Sequence, residues 1–222
     1  METPKTEPNT STPQPEKIIP NHYDYPKILQ LLEQRGKEQF GQHFRFRKED
    51  EPIILHLIAY FLKDEMMCHK AGISLQKGIL LSGPVGCGKT TLMNLMRFVA
   101  QSENKFILKS CRDISFEFIQ DGYEVIHRYS KGKLYESNFK NCCFDDLGIE
   151  NNLKYFGNEC NVMAEILLSR YDLFISRKLQ THITTNLSAS EIEKQYGNRV
   201  RSRLRELCNL VAFDNSATDK RR

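Results

Sequence analysis

Three short stretches carry residue types whose spacing suits phosphate chemistry. Residues 83–90 read GPVGCGKT, a match to G-x-x-x-x-G-K-[ST]. Glycines at these positions let successive backbone N–H groups curl around a polyphosphate, and a helix opening at the lysine points its positive end at the same anion. Gly83, Pro84, Val85, Gly86, Cys87, Gly88, Lys89, Thr90 and Thr91 are therefore the expected nucleotide-binding residues. Lys89 is expected at the β and γ phosphates of ATP, and the Thr90 hydroxyl on Mg²⁺.

Such a loop needs an acidic element to complete the metal site. The run NCCFDDLG at 141–148 supplies one after an apolar segment. Asp145 is expected to hold Mg²⁺ through its water shell and Asp146 to polarise the attacking water. The alternative is two turn-forming acids at a strand end. Asp146 stands where many ATPases with this loop carry the longer Glu, which implies slow hydrolysis, and Glu150 is a second candidate base. In THITTNLS, residues 181–188, Asn186 follows a β-rich run, where a carboxamide can orient the lytic water. The same four residues Thr-Asn-Leu-Ser also read as a strand end leading to a helix cap at Ser188.

The elements that must position these residues follow from the apolar pattern. Residues 77–82, 106–108, 141–145, 181–185 and 209–213 read as short buried strands. Helical patterns run from Tyr25 to Gly36, over 53–62, 89–100, 114–129, 160–175, 188–196 and 199–207. Strands alternating with helices predict an α/β fold, a five-stranded parallel sheet flanked by helices on both faces. Residues 1–22 hold five of the eight prolines and read as a disordered tail. Residues 23–75 read as a small helical segment, 76–214 as the core and 215–222 as a basic tail.

Composition narrows the setting. The net charge of +4 is concentrated late: residues 1–193 hold 24 Lys/Arg against 25 Asp/Glu, and residues 194–222 hold 8 against 3. Seven cysteines, an odd number with no CxxC spacing, read as buried thiols in a reducing compartment, not as a disulfide framework or zinc site. No apolar run reaches the ~20 residues of a membrane helix, and none suits a signal peptide. The expectation is a cytoplasmic protein without a membrane partner.

Taken in order, KGILLSGPVGCGKTTL, CCFDDLG, LLSRYDLF, THITTNLS and YGNRVRSRLREL resemble the AAA+ ATPases of the DnaC/IstB type, the bacterial helicase loaders and transposition helper ATPases. The likeness spans roughly residues 40–213. It implies an AAA+ P-loop NTPase with sheet order 5-1-4-3-2 and no C-terminal lid domain, binding of ATP and Mg²⁺, and homo-oligomers with nucleotide between subunits. It further implies ATP-driven work in DNA replication on single-stranded DNA, with a replicative helicase or a transposase as partner. Loaders usually carry a dedicated N-terminal helicase-gripping domain, whereas the residues ahead of the core here are expected to form a Pro-rich tail and about fifty helical residues. A low-turnover nucleotide switch or adaptor and a small-molecule kinase are competing readings of the same loop.

The C-terminal arginines sort by helical position. With Val200, Leu204 and Leu207 as a core stripe, Arg199 and Arg203 share one flank, and Arg201 and Arg205 the other. The resemblance assigns Arg203 as an arginine finger acting in trans on a neighbour's ATP, with Arg199 in trans as its support. Arg201 and Arg205 read as solvated or paired with Glu193 or Glu206, and Arg170 either as a guanidinium near the apolar side that must find a partner or an interface, or as a snorkelling core-edge arginine. For single-stranded DNA, the run 127–140 offers Arg128, Tyr129, Lys131 and Lys133, cations for the backbone and rings for stacking; a solvated helix end is the alternative.

Overall fold

A computed structural model of the chain describes residues 23–130, 140–150, 153–155, 158–214, 217, 219 and 220. Five strands form one parallel sheet: β1 (Gly78–Ser82), β2 (Phe106–Ser110), β3 (Asn141–Leu147), β6 (Thr181–Thr185) and β7 (Cys208–Ala212). Their order is β2-β3-β6-β1-β7. Counted within this sheet alone, that is 5-1-4-3-2 read from the β7 edge. β4 (Leu153–Tyr155) and β5 (Asn158–Cys160) pair as a separate antiparallel hairpin that no apolar alternation announced.

The sheet separates two cores because successive side chains leave a strand on opposite faces. On β3, Cys142 and Phe144 join one cluster and Cys143 the other. The first face is covered by α5 (Cys111–Asp121), α6 (Glu124–Ser130), α7 (Val162–Arg177) and α8 (Ala189–Leu207). The second is covered by α1 (Tyr25–Phe40), α2 (Glu51–Leu62), α3 (Glu65–Lys70) and α4 (Lys89–Val99). Burial on both faces explains the apolar runs Ile79-Leu80-Leu81 and Cys142-Cys143-Phe144, while β6, Thr-His-Ile-Thr-Thr, is buried throughout with polar side chains. The seven cysteines are free thiols, all buried.

Several boundaries differ from the sequence expectation. α1 does not stop at Gly36 but runs through it to Phe40, because Phe44 folds back onto Gly36 and occupies the space a side chain would need. The single helix expected over 114–129 is two, divided at Gly122. The C-terminal helices agree with the expectation of separate segments at 188–196 and 199–207: α8 is broken at Gly197 (φ 85°, ψ 160°), which separates the segment opened by the Ser188–Glu191 capping box from the arginine-bearing segment. Val200, Leu204 and Leu207 form the buried stripe of the latter.

Candidate active site

β1 delivers the chain into GPVGCGKT, and α4 leaves it at Lys89. Gly86 (φ 82°) and Gly88 (φ 98°) take left-handed backbone that only glycine adopts freely, which curls the loop. The first turn of α4 holds no acidic residue, so the positive end of the helix faces the loop uncompensated. Lys89 is 5% exposed, and its Nζ donates to the carbonyls of Gly83 (2.8 Å) and Pro84 (2.9 Å). Its ammonium is thus held over the cradle.

β3 ends beside this loop. Its register against β6 shifts between Phe144 and Leu147, a bulge that re-aims the two acids between them. Asp145 accepts from the Thr90 hydroxyl at 3.0 and 2.9 Å and from the Thr184 hydroxyl at 2.6 Å. Burial pushes the Asp145 carboxyl above its usual range, against the pull of the two threonines. Asp146 sits at φ 56°, unusual for a residue with a side chain, and its N–H donates to Thr184 Oγ1 at 2.8 Å. Asp146 and Asn186 both line the cavity above the loop.

That cavity measures about 1570 Å³, larger than the ~300–1,000 Å³ of most small-molecule sites. The loop forms its floor. Asp146, Gly148 and Asn186 stand on one side; the stretch 42–50 with Phe40 stands on the other. Among the described residues, six lysines and arginines line it against four carboxylates, a field that favours a polyanion. The wall at 42–50 was missed by sequence reading, although the basic and aromatic run Phe44-Arg45-Phe46-Arg47-Lys48 was there to be noticed. Lys220 also lines the cavity, and nothing local in the sequence points to it.

No protein-family model and no curated protein matches the sequence. Solved structures match by shape. The DnaC helicase loader superposes with a TM-score of 0.53 at 17% identity, over 78% of this chain and 94% of that one. DnaI gives 0.51 at 18% identity over 78% and 89%. A DNA replication initiation factor gives 0.50 at 16% identity, over 78% of this chain and 48% of that one. The chain has the AAA+ fold of these structures.

Within this AAA+ fold the remaining candidates separate. Arg199 is exposed, and Arg203 lies half-buried with its guanidinium 4.2 Å over the Tyr171 ring, donating to the Tyr171 hydroxyl (3.0 Å) and Glu206 (3.3 Å). Neither is among the described residues that line the cavity of their own chain. Arg201 pairs with Glu193, and Arg205 is exposed. Glu150 is no spare base: its oxygens accept from Gly148 N–H (3.0 Å) and from the Tyr196 hydroxyl, away from the cavity.

Of the two readings of Arg170, the structure bears out the one that requires a partner: it is not a core-edge arginine, and its partners lie within its own chain. It is 2% exposed and donates to Thr181 Oγ1 (2.7 Å) and to the carbonyls of Tyr129 (2.9 Å), Lys140 (3.2 Å) and Gln180 (3.0 Å). The expectation of base stacking on Tyr129 is corrected: its ring is buried in the α5–α6 core and its hydroxyl is held by Glu117. Arg128 is engaged by Glu117 and Asp121. Lys131 and Lys133 lie outside the described residues. Among the described residues, no helix is long and apolar enough to cross a membrane.

Proposed function

We propose that the chain binds and hydrolyses ATP and works as a helicase-loader-like accessory of DNA replication, its ATP state governing its grip on single-stranded DNA and a partner protein. The observation that carries this reading is the convergence of Lys89, Thr90 and Asp145 at one end of a large, net-positive cavity. Hard oxygen donors at Thr90 and Asp145, about 3 Å apart and partly buried, fit Mg²⁺. The ion would neutralise charge on the β and γ oxygens.

The chain's own groups take the other parts. N–H groups of the loop and the Lys89 ammonium hold the phosphates. Asn186 orients a water, and Asp146 takes its proton as the oxygen attacks the γ-phosphorus and the bond to the β-phosphate oxygen breaks, leaving ADP and phosphate. Arg203 and Arg199 of a neighbouring copy supply positive charge at the γ-phosphate, which makes nucleotide a bond between subunits.

A second reading, a low-turnover switch, is favoured by the short Asp146 side chain on its constrained backbone. A transposase in place of a helicase as partner keeps the same chemistry. Multiple-turnover phosphate release by the purified chain, with and without single-stranded DNA, decides. The proposal expects turnover that rises with protein concentration or DNA. Nucleotide binding without turnover in either condition favours the switch. A Lys89→Ala chain that binds and hydrolyses ATP like the intact one overturns the site.

A further inference from the structure

We infer that Lys220 is a positioning residue of the nucleotide site, a cation that locks the 42–50 wall to the phosphate loop and so fixes the loop's N–H groups; this rests on the nucleotide reading above.

Asp50 stands at the N-terminus of α2, where an aspartate ordinarily caps the helix by accepting from its first-turn N–H groups. It makes no such side-chain bond. Its carboxylate, 6% exposed, is instead paired with the Lys220 ammonium, 170 residues away in the chain. A carboxylate so far out of water requires a partner, and diverting it from the helix cap to a remote lysine makes Lys220 the group that satisfies it.

Lys220 does more than neutralise Asp50. Its Nζ also donates to the Cys87 carbonyl at 2.6 Å, its backbone N–H donates to the Gly86 carbonyl at 3.0 Å, and the Phe213 ring lies 5.0 Å from the ammonium. Both carbonyls belong to the phosphate loop. In a planar trans peptide the C=O and the following N–H point in opposite directions. Holding the Gly86 and Cys87 carbonyls on the Lys220 side therefore fixes the N–H groups of Cys87 and Gly88 on the opposite side of their peptides, which for Cys87 is the side of the Pro84 carbonyl, where the Lys89 ammonium also donates. Among the described residues the Cys87 N–H makes a long 3.4 Å contact with that carbonyl, so it can turn to an anion. The neighbouring Asp219 carboxylate packs where a side chain at residue 86 would have to go, which adds a second reason for glycine there.

A cation that prepares the cradle, as opposed to one that touches the last phosphate, acts equally on every nucleotide with a diphosphate. Fluorescent ATP and ADP analogues titrated into the intact chain and into Lys220→Ala, Lys220→Arg and Asp50→Asn test this. The expected result is a fall of about tenfold or more in affinity for both nucleotides in Lys220→Ala and in Asp50→Asn. Lys220→Arg, which keeps the charge and the reach, should restore affinity to within about threefold of the intact chain.

Affinity unchanged in Lys220→Ala overturns the inference and leaves the nucleotide site standing. Tighter binding overturns it in favour of a tail that competes for the site. A loss confined to ATP assigns Lys220 to the γ-phosphate instead. No binding by the intact chain overturns both the inference and the nucleotide reading. Should Lys220→Ala fold poorly, Asp50→Asn and Lys220→Arg carry the test between them.

Discussion

Thr184 joins the two acids at the end of β3, donating its hydroxyl to Asp145 at 2.6 Å and accepting from the backbone N–H of Asp146 at 2.8 Å. One side chain thus lowers the cost of ionising Asp145 and pins the bulge that aims Asp146. Burial raises the Asp145 carboxyl, and the Thr184 hydrogen bond opposes that rise. On the proposed reading Asp145 must be ionised to hold a cation, so metal-dependent activity should be lost as pH falls through its pKa. In Thr184→Val the pKa rises further, and the acid limb of Mg²⁺-dependent ATP hydrolysis should move to higher pH. The pH profile of kcat for the two proteins checks this; superimposable acid limbs would refute it.

His182 is a second group whose protonation the fold controls. It lies fully buried on β6 against Tyr60, Phe61 and Phe106, with Nδ1 accepting from the Ile79 N–H at 3.1 Å. Burial pushes it down from 6.5 to about 3. The unfolded chain therefore binds a proton that the folded chain refuses between these values. Stability is fully present above about pH 6.5 and falls toward pH 3, by roughly 1.4 kcal/mol per unit. Urea unfolding of the intact chain and of His182→Leu at pH 7.5 and 5.0 isolates the effect. The intact chain should lose about 2 kcal/mol more than the variant over that interval. Equal losses would show that His182 does not titrate on unfolding.

Arg170 tests how a buried charge is tolerated without a carboxylate partner among the described residues. Its four acceptors are the carbonyls of Tyr129, Lys140 and Gln180 and the hydroxyl of Thr181, and its guanidinium lies 5.5 Å from the Phe144 ring. The first two carbonyls flank residues 131–139, so the guanidinium joins the end of α6 to the start of β3. Arg170→Met leaves these groups without a donor, at about 1–3 kcal/mol for each one that stays buried. A total loss of about 3 kcal/mol or more is expected in chemical denaturation. Arg170→Lys, with one donor head for dispersed acceptors, should fall between. A Met variant within ~0.5 kcal/mol of the intact chain would sink this account.

These residues also mark what the sequence could and could not convey. β6 was legible to the residue, 181–185, because its three threonines and Ile183 are β-branched, the side chains a strand favours. The glycine-rich turn between β1 and α4 was legible because its residues are contiguous, whereas the contact of Asp145 with Thr90 depends on the fold. Thr184 lay in plain view but carried no signal, since its partners are set by the β3 bulge. Arg170 was left between two readings because most of its acceptors are carbonyls, which every residue has. The Asp50–Lys220 pair was invisible, because the two residues are joined only by the folded path of the chain. Gly36 misled in the opposite way, as a helix breaker whose missing side chain serves the packing of Phe44.

The stacking of Arg203 on Tyr171 bears on assembly. The guanidinium is held by Tyr171 and Glu206 on the outer side of α7 and α8, and neither it nor Arg199 is among the described residues lining the chain's own cavity. On the proposed reading, an arginine held away from the cavity of its own chain serves the nucleotide of another copy. Arg203→Ala should bind ATP as the intact chain does while losing about 10³-fold or more in hydrolysis. Lys89→Ala should lose nucleotide binding yet keep Arg203. Mixed together, the two inactive variants form interfaces in which an intact phosphate loop meets an intact Arg203, and activity should return in part. Phosphate release measured across mixing ratios checks it, with a maximum at intermediate ratios. A flat, inactive series at every ratio would mean that Arg203 serves its own subunit or has no part in hydrolysis.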